Sequence, residues 1–258
     1  MQSIRLSWIS ASRTHVGMVR KINEDACLEL PERGLWAVAD GMGGHEAGDL
    51  ASRRIVETLA ALPHGVALPA RLDHIHRAIA EVNQELREEA ARRFGGGGTI
   101  GSTLVALLAQ PDGQAACLWA GDSRLYRYCH NRLERVSRDH SHVQELVDRG
   151  LLPPDQAEHH PLSNVITRAV GAEGELELEQ RLLTLENGEL FLLCSDGLTK
   201  TLDEGEIAAL LSHGNPREAV QTLIHTALVR QADDNVTVVV VQVEAEEETR
   251  TFPNQERS

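Results

Sequence analysis

The sequence predicts an α+β fold with a mostly antiparallel sheet, and three observations carry that reading. Short apolar, strand-like runs come in groups, without the strict strand–helix–strand alternation of a parallel sheet. Paired helical stretches interrupt them. The clearest helix has Leu72, Ile75, Ile79, Val82, Leu86, Ala90 and Phe94 at spacings of three and four. No Pro/Gly/Ser-rich linker divides the 258 residues, so one domain spanning about 1–244 is expected, followed by an acidic, disordered tail over 245–258.

In chain order, strands are expected at Ile4 to Ser10, Ala26 to Leu30 and Leu35 to Ala39. Two helices follow, the second stopped by the glycine run at Gly95. That run is a loop and not a phosphate-binding loop, because Thr99-Ile100-Gly101-Ser102 follows it where Gly-Lys-Ser/Thr would be needed. Strands come next at Thr103 to Leu108, Ala115 to Ala120 and Leu125 to Cys129. The last turns at His130-Asn131 into Leu133 to Val136. Ser141 and Gln144 have capping-box spacing and open a short helix that Gly150 closes. Residues 151–165 are polar and proline-rich, hence loop. Strands at Leu176 to Leu183 and Glu189 to Ser195 precede a helix capped by Asp203 and Glu206. Asn215 and Pro216 start another, with Ala219, Val220, Leu223, Ile224 and Ala227 facing inward. Val236 to Val243 is the closing strand.

Composition narrows the function. Hydrophobic residues make up 41%, enough for a sizeable core. A formal charge of −14 argues against nucleic acid, whose phosphates need a basic face, and against an anionic membrane. The start MQSIRLSWIS lacks the apolar stretch of a signal peptide, and the longest apolar runs are strand length. Cys27, Cys117, Cys129 and Cys194 form no C-x-x-C pair, so reduced thiols in a cytoplasmic protein are expected; a monomer is expected as well.

The chemistry lies in aspartates at the ends of strands, several beside glycine: Asp25, Asp40, Asp122, Asp196 and Asp234. An Asp next to Gly is usually a turn residue. Five at sheet ends, with no cationic cluster in the sequence to pair with them, weaken that reading. Carboxylates gathered in one place repel unless cations lie between them. Oxygen-only ligands suit hard divalent ions such as Mg²⁺ or Mn²⁺.

The ordered motifs then carry a family resemblance. Arg20-x-x-Asn23-Glu24-Asp25, Asp40-Gly41-Met42-Gly43-Gly44-His45 and Gly101-Ser102-Thr103 open the set. Gly121-Asp122-Ser123-Arg124, Asp139-His140-Ser141, Ile166-Thr167-Arg168-Ala169, Ser195-Asp196-Gly197 and Asp234-Asn235-Val236-Thr237 complete it. The chain resembles the metal-dependent serine/threonine protein phosphatases of type 2C, the PPM family, in their bacterial form. The resemblance implies a four-layer αββα sandwich with a small flap over about 142–165. It implies two Mg²⁺ or Mn²⁺ ions per site, Asp40 bridging both, the backbone carbonyl of Gly41 on the second, and Asp196 and Asp234 on the first. Glu24 and Asp25 would hold waters on the metals, and Asn235 would orient its neighbouring carboxylate. Asp122, with Asp196, matches a third, weaker metal position. Arg20 would grip the substrate phosphate, and a cognate kinase would supply the phosphoprotein. In eukaryotic relatives a histidine directly follows the Asp-Gly pair as proposed general acid. Here Met42 stands there and His45 lies three residues further on, so the general acid stays unassigned.

Other readings are weaker. Cys27 with Arg33 and Cys129 with Arg135 have the gap of a cysteine phosphatase, but the residues between them form no glycine-rich nest of amides. His140 with His142, and His159 with His160, lack a third zinc ligand at motif spacing; His74 and His76, two apart in the long helix, cannot share a face and are expected to be solvated. Ser195 lacks a nucleophile elbow. A catalytically silent binding module would have lost a metal aspartate, and all are in place. A phosphatase of small metabolites is disfavoured by the flap.

Overall fold

The computed structural model describes residues 5–43, 47–95, 97–157, 160–172, 174–212 and 214–246. Among these, β1 (Leu6–His15), β2 (Asp25–Leu30) and β3 (Leu35–Met42) come first, then helices α1 (Ala47–Ala61) and α2 (Leu68–Phe94). The middle of the chain forms β4 (Gly101–Ser102), β5 (Leu104–Ala109), β6 (Gln114–Ala120), β7 (Arg124–Cys129), β8 (Arg132–Arg135) and α3 (His142–Asp148). The last third forms β9 (Glu179–Thr184), β10 (Leu190–Cys194), α4 (Asp196–Thr199), α5 (Glu204–Leu211), α6 (Pro216–Val229) and β11 (Val236–Ala245).

Two antiparallel sheets result. One runs β1-β11-β10-β7-β8; the other runs β2-β3-β5-β6-β9, with β4 on β3. Side chains alternate across a strand, and the central strands are apolar on both faces. Trp36 and Val38 of β3, Phe191 and Leu193 of β10, and Val239, Val241 and Val243 of β11 fill the space between the sheets. Trp8 meets Trp36 edge to face there, with ring centroids 5.6 Å apart. The opposite face of β3 (Leu35, Ala37, Ala39) packs on α1 and α2. The opposite faces of β10 and β11 (Leu192, Cys194, Val238, Val240) pack on α4, α5 and α6. Strands buried on both faces force helices onto each outer surface, and the four-layer αββα sandwich follows.

Local signals explain the ends of these elements. Gly95, at φ 58°, closes α2 by donating its N–H to Ala91 O at 3.0 Å. His130 and Asn131 both take positive φ, as a two-residue hairpin between β7 and β8 requires. Asp203 and Glu206 form both halves of a capping box on α5. Ser141 caps α3 by accepting from Gln144 N at 3.3 Å. The reciprocal half of that box is absent, because Gln144 Oε1 accepts from Arg135 at 3.1 Å while its amide N–H donates to Asp148 at 2.8 Å.

Three sequence expectations shift. The strand expected from Leu176 starts at Glu179, since β9 is a largely exposed sheet edge where apolar pattern is weak. The tail expected to begin at 245 is folded a little further. Ala245 ends β11, and Glu246 N bonds Arg5 O at 2.8 Å; residues 247–258 lie outside the described residues. His74 and His76 of α2, read as solvated, are half-buried, and His76 meets Gln180 at 3.1 Å.

The segment 142–165 makes an excursion closed at its base, where His142 N bonds Val165 O at 2.9 Å and Ser141 bridges Ile166. Among the described residues, no helix is long and apolar enough to cross a membrane.

Candidate metal centre

Sheet register brings the acidic residues to one edge. Asp25 opens β2 directly opposite Asp40 of β3, so in this antiparallel pair their side chains leave the same face. Asp122 sits in the β6–β7 turn, Asp196 opens α4 straight after β10, and Asp234 lies two residues before β11. The loop between β1 and β2 carries Arg20 and Glu24.

Each carboxylate is set by its neighbours. Asp40 N donates to Thr103 Oγ1 at 3.0 Å, and Thr103 N returns to Asp40 O at 2.9 Å, locking the end of β3 to β5. Asp25 Oδ2 accepts from Ser195 Oγ at 2.8 Å and from Thr237 Oγ1 at 2.7 Å. Asp234 Oδ2 accepts from Arg20 at 3.0 Å, and its Oδ1 from Asn235 N at 2.9 Å. Gly48 N, in the first turn of α1, donates to Glu24 Oε1 at 3.2 Å. Gly41 has to be glycine: a Cβ there would stand 2.1 Å from Gly48 O and 2.5 Å from Glu24 O. The close approach of β3 to α1 depends on that missing atom.

Burial raises Asp40 well above the usual carboxylate range, and the charges of Asp25, Asp196, Asp122 and Asp234 add to it. Burial also pushes Asp122 to about 8, with Asp196 adding repulsion. Asp25 rises to about 7, mainly through burial, despite its two hydroxyl donors. Glu24 is raised as well, chiefly by burial. The charges of Asp25, Asp122, Asp196 and Asp234 all act on Asp40, so these groups lie near one another at the same sheet edge.

The donor set suits a hard cation. Among the described residues, Asp25 Oδ1, Asp122 Oδ1 and Asp196 Oδ1 are buried without a hydrogen-bond partner, and orphaned anionic oxygens of this kind call for positive charge. Among the described residues no three His, Cys, Asp or Glu groups close on one point as a finished cage. Hard divalent ions complete open carboxylate sets with water. The residues present therefore fit the ions that the resemblance implies.

Two sequence readings need correction. The aspartates do have cations: Lys200 pairs with Asp196 and Arg20 with Asp234. The signal for Lys200 was its i+4 spacing from Asp196, hidden because α4 is a single turn with no periodicity to read. Asn235 orients more than its neighbour. Its side-chain amide donates to Val16 O at 2.9 Å and Ile22 O at 3.0 Å, and its Oδ1 accepts from Glu24 N at 2.8 Å. It ties down the loop that presents Arg20, and touches Asp234 through its backbone N–H. Thr103 and Thr237 were also missed as partners of Asp40 and Asp25; only sheet register brings them there. His45 lies outside the described residues.

Rival chemistries find no support. Burial raises the Cys27 thiol and lifts Cys194 to about 12, far from a reactive thiolate. The Nδ1 of His140 accepts from Gly121 N at 3.1 Å, and its Nε2 meets Glu179 at 2.8 Å, so both ring nitrogens are engaged. The Ser195 hydroxyl donates to Asp25 and accepts from Thr237 N at 3.0 Å, which makes it a strut.

An acidic, oxygen-only cleft at the edge of an αββα sandwich, with an arginine at its mouth, defines a class of hydrolase that handles phosphate esters. The chain belongs to the protein phosphatase 2C family, whose model matches residues 13–228. The serine/threonine phosphatase stp of Listeria innocua is 34% identical over 89% of this chain and 94% of its own length. The solved structure of PppA, a key regulatory component of T6SS in Pseudomonas aeruginosa, is 51% identical, with a TM-score of 0.85. It covers 92% of this chain and 98% of that one. The catalytic domain of the phosphatase PstP, solved in complex with two manganese ions, is 34% identical with a TM-score of 0.79. That match covers 93% of this chain and 99% of the solved catalytic-domain chain.

Proposed function

We propose that this chain hydrolyses phosphoserine and phosphothreonine in proteins, opposing a serine/threonine kinase. The observation that carries the reading is the convergence of Asp25, Asp40, Asp122, Asp196 and Asp234 on one cleft, with three buried, unpartnered carboxylate oxygens. Asp40, the Gly41 carbonyl, Asp196 and Asp234 would hold two Mg²⁺ or Mn²⁺ ions. Such ions, when bound, lower the pKa of a water and neutralise charge on the phosphoryl oxygens. Glu24 and Asp25 would accept hydrogen bonds from water held on those ions. Arg20, at the mouth, offers a planar fork to two phosphate oxygens. Asn235 fixes the loop that carries it. Asp122 faces Asp196 as a further carboxylate pair. The proton for the leaving group is not assigned to a residue.

The excursion over 142–165 lies beside this cleft. A cavity of about 200 Å³ joins Asp122, Asp196 and Lys200 to its apolar residues Val143, Val147 and Pro154. Such a shelf suits a polypeptide substrate better than a small metabolite, and the likeness to PppA makes a T6SS protein the first substrate to try. Release of phosphate from p-nitrophenyl phosphate and from a phosphothreonine protein, with and without Mn²⁺, tests the reading. Wild type should act on both only with metal, and Asp40→Asn should lose at least about 10³-fold. Absence of metal-dependent turnover in wild type would leave a binding module. Turnover of metabolites alone would move the assignment to them.

A further inference from the structure

Asp196 is the first residue of α4, and the backbone of Lys200, just past its last residue, bonds Asp196 O at 2.8 Å. Four residues apart on a helical turn share a face, and helical side chains lean toward the N-terminus. Lys200 therefore folds back, and its Nζ lies on Asp196 Oδ2. Its side chain is two-thirds sheltered, and it lines the same cavity as Asp122 and Asp196.

Asp122 is 7% exposed, and its Oδ1 has no hydrogen-bond partner among the described residues. Arg124 also acts on Asp122, and its guanidinium grips both oxygens of Asp139 at 2.8–3.1 Å and donates to Tyr126 Oη at 3.0 Å. An ammonium carries three donors. With one on Asp196, Lys200 can turn others toward Asp122.

We propose that Lys200 is the fixed cation of the Asp122–Asp196 pair, standing where the resemblance implies a third metal ion, so that the loaded protein holds two divalent ions. This rests on the metal-centre reading above. A divalent ion on Asp122 and Asp196 would adjoin a sheltered ammonium and would have to drive it into solvent, against like-charge repulsion. Asp196 can still serve the first metal through its other oxygen, Oδ1, which is unpartnered.

Counting Mn²⁺ bound per full-length chain, by equilibrium dialysis with metal analysis and by titration calorimetry, tests this without reference to turnover. Wild type and Lys200→Arg should bind two ions. Lys200→Met, similar in length but uncharged, should bind a third at least ten-fold more tightly than wild type does. Adding Asp122→Asn to Lys200→Met should return the count to two. A Lys200→Gln variant repeats the test should the methionine variant melt early. Three ions in wild type, with a third-site affinity within three-fold of Lys200→Met, would overturn the proposal. Fewer than two in wild type would overturn the metal-centre reading itself, and the role of Lys200 with it.

Discussion

The Arg20 guanidinium donates to Asp234 Oδ2 at 3.0 Å across a contact that is more than half exposed on the arginine side. In the proposed role it would turn from there toward an arriving phosphate. A charge-assisted bond to a phosphate oxygen is worth roughly 1.5–3 kcal/mol. Arg20→Ala should therefore raise KM for p-nitrophenyl phosphate by about 10–100-fold and lower kcat much less. Arg20→Lys should recover only part of the loss, because a point charge cannot bind two oxygens in one plane. Steady-state kinetics at saturating Mn²⁺ decide it. An unchanged KM with a collapsed kcat would instead make Arg20 a support for Asp234.

At the scale of elements, the cleft depends on how closely α4 and β11 approach. A Cβ on Gly197 would stand 2.0 Å from Asn235 O, so α4, which opens on Asp196, and the stretch leading from Asp234 into β11 meet through a position where only glycine fits. Gly197→Ala must push them apart, and overpacking of this kind costs about 1–3 kcal/mol or more. The variant should melt several degrees lower and bind Mn²⁺ at least ten-fold more weakly. Gly174→Ala, where a Cβ meets nothing within 4 Å, should change neither. Equal Mn²⁺ affinity in both variants would uncouple the packing from the site. The same contrast explains what the sequence revealed. Strands such as Val236 to Val243 were legible because both faces are buried and the run is continuously apolar. The aspartates were legible because each interrupts such a run beside a turn. Lys200, Thr103 and Thr237 were not, since their partnerships with Asp196, Asp40 and Asp25 arise from a single helical turn or from strands brought together across the chain. The exposed edge β9 escaped for the opposite reason: with little buried, little pattern marks where it starts.

For the whole molecule, an acidic cleft inside a chain of charge −14 sets how stability responds to pH. Folding lifts Asp25 to about 7 and Asp122 to about 8, and raises Asp40, whereas unfolded aspartates titrate near about 3.9. The folded state thus holds these protons more tightly than the unfolded state. The linkage slope is negative between the two values. Their favourable contribution is complete below about pH 4 and is lost as pH rises through about 7 to 8. In chelator, the melting temperature should fall between pH 5.5 and 8.5 by on the order of 5 °C. Asp122→Asn isolates the buried contribution. Its neutral amide has no proton to lose, and the slope should flatten between pH 7 and 8.5. Saturating Mn²⁺ should reverse the trend, because ions bind the deprotonated carboxylates and stabilise only the folded chain. Differential scanning calorimetry across that range, with chelator and with Mn²⁺, measures all three slopes. A flat chelator profile, or one unchanged by Asp122→Asn, would mean that the buried acids do not govern the stability of the metal-free fold.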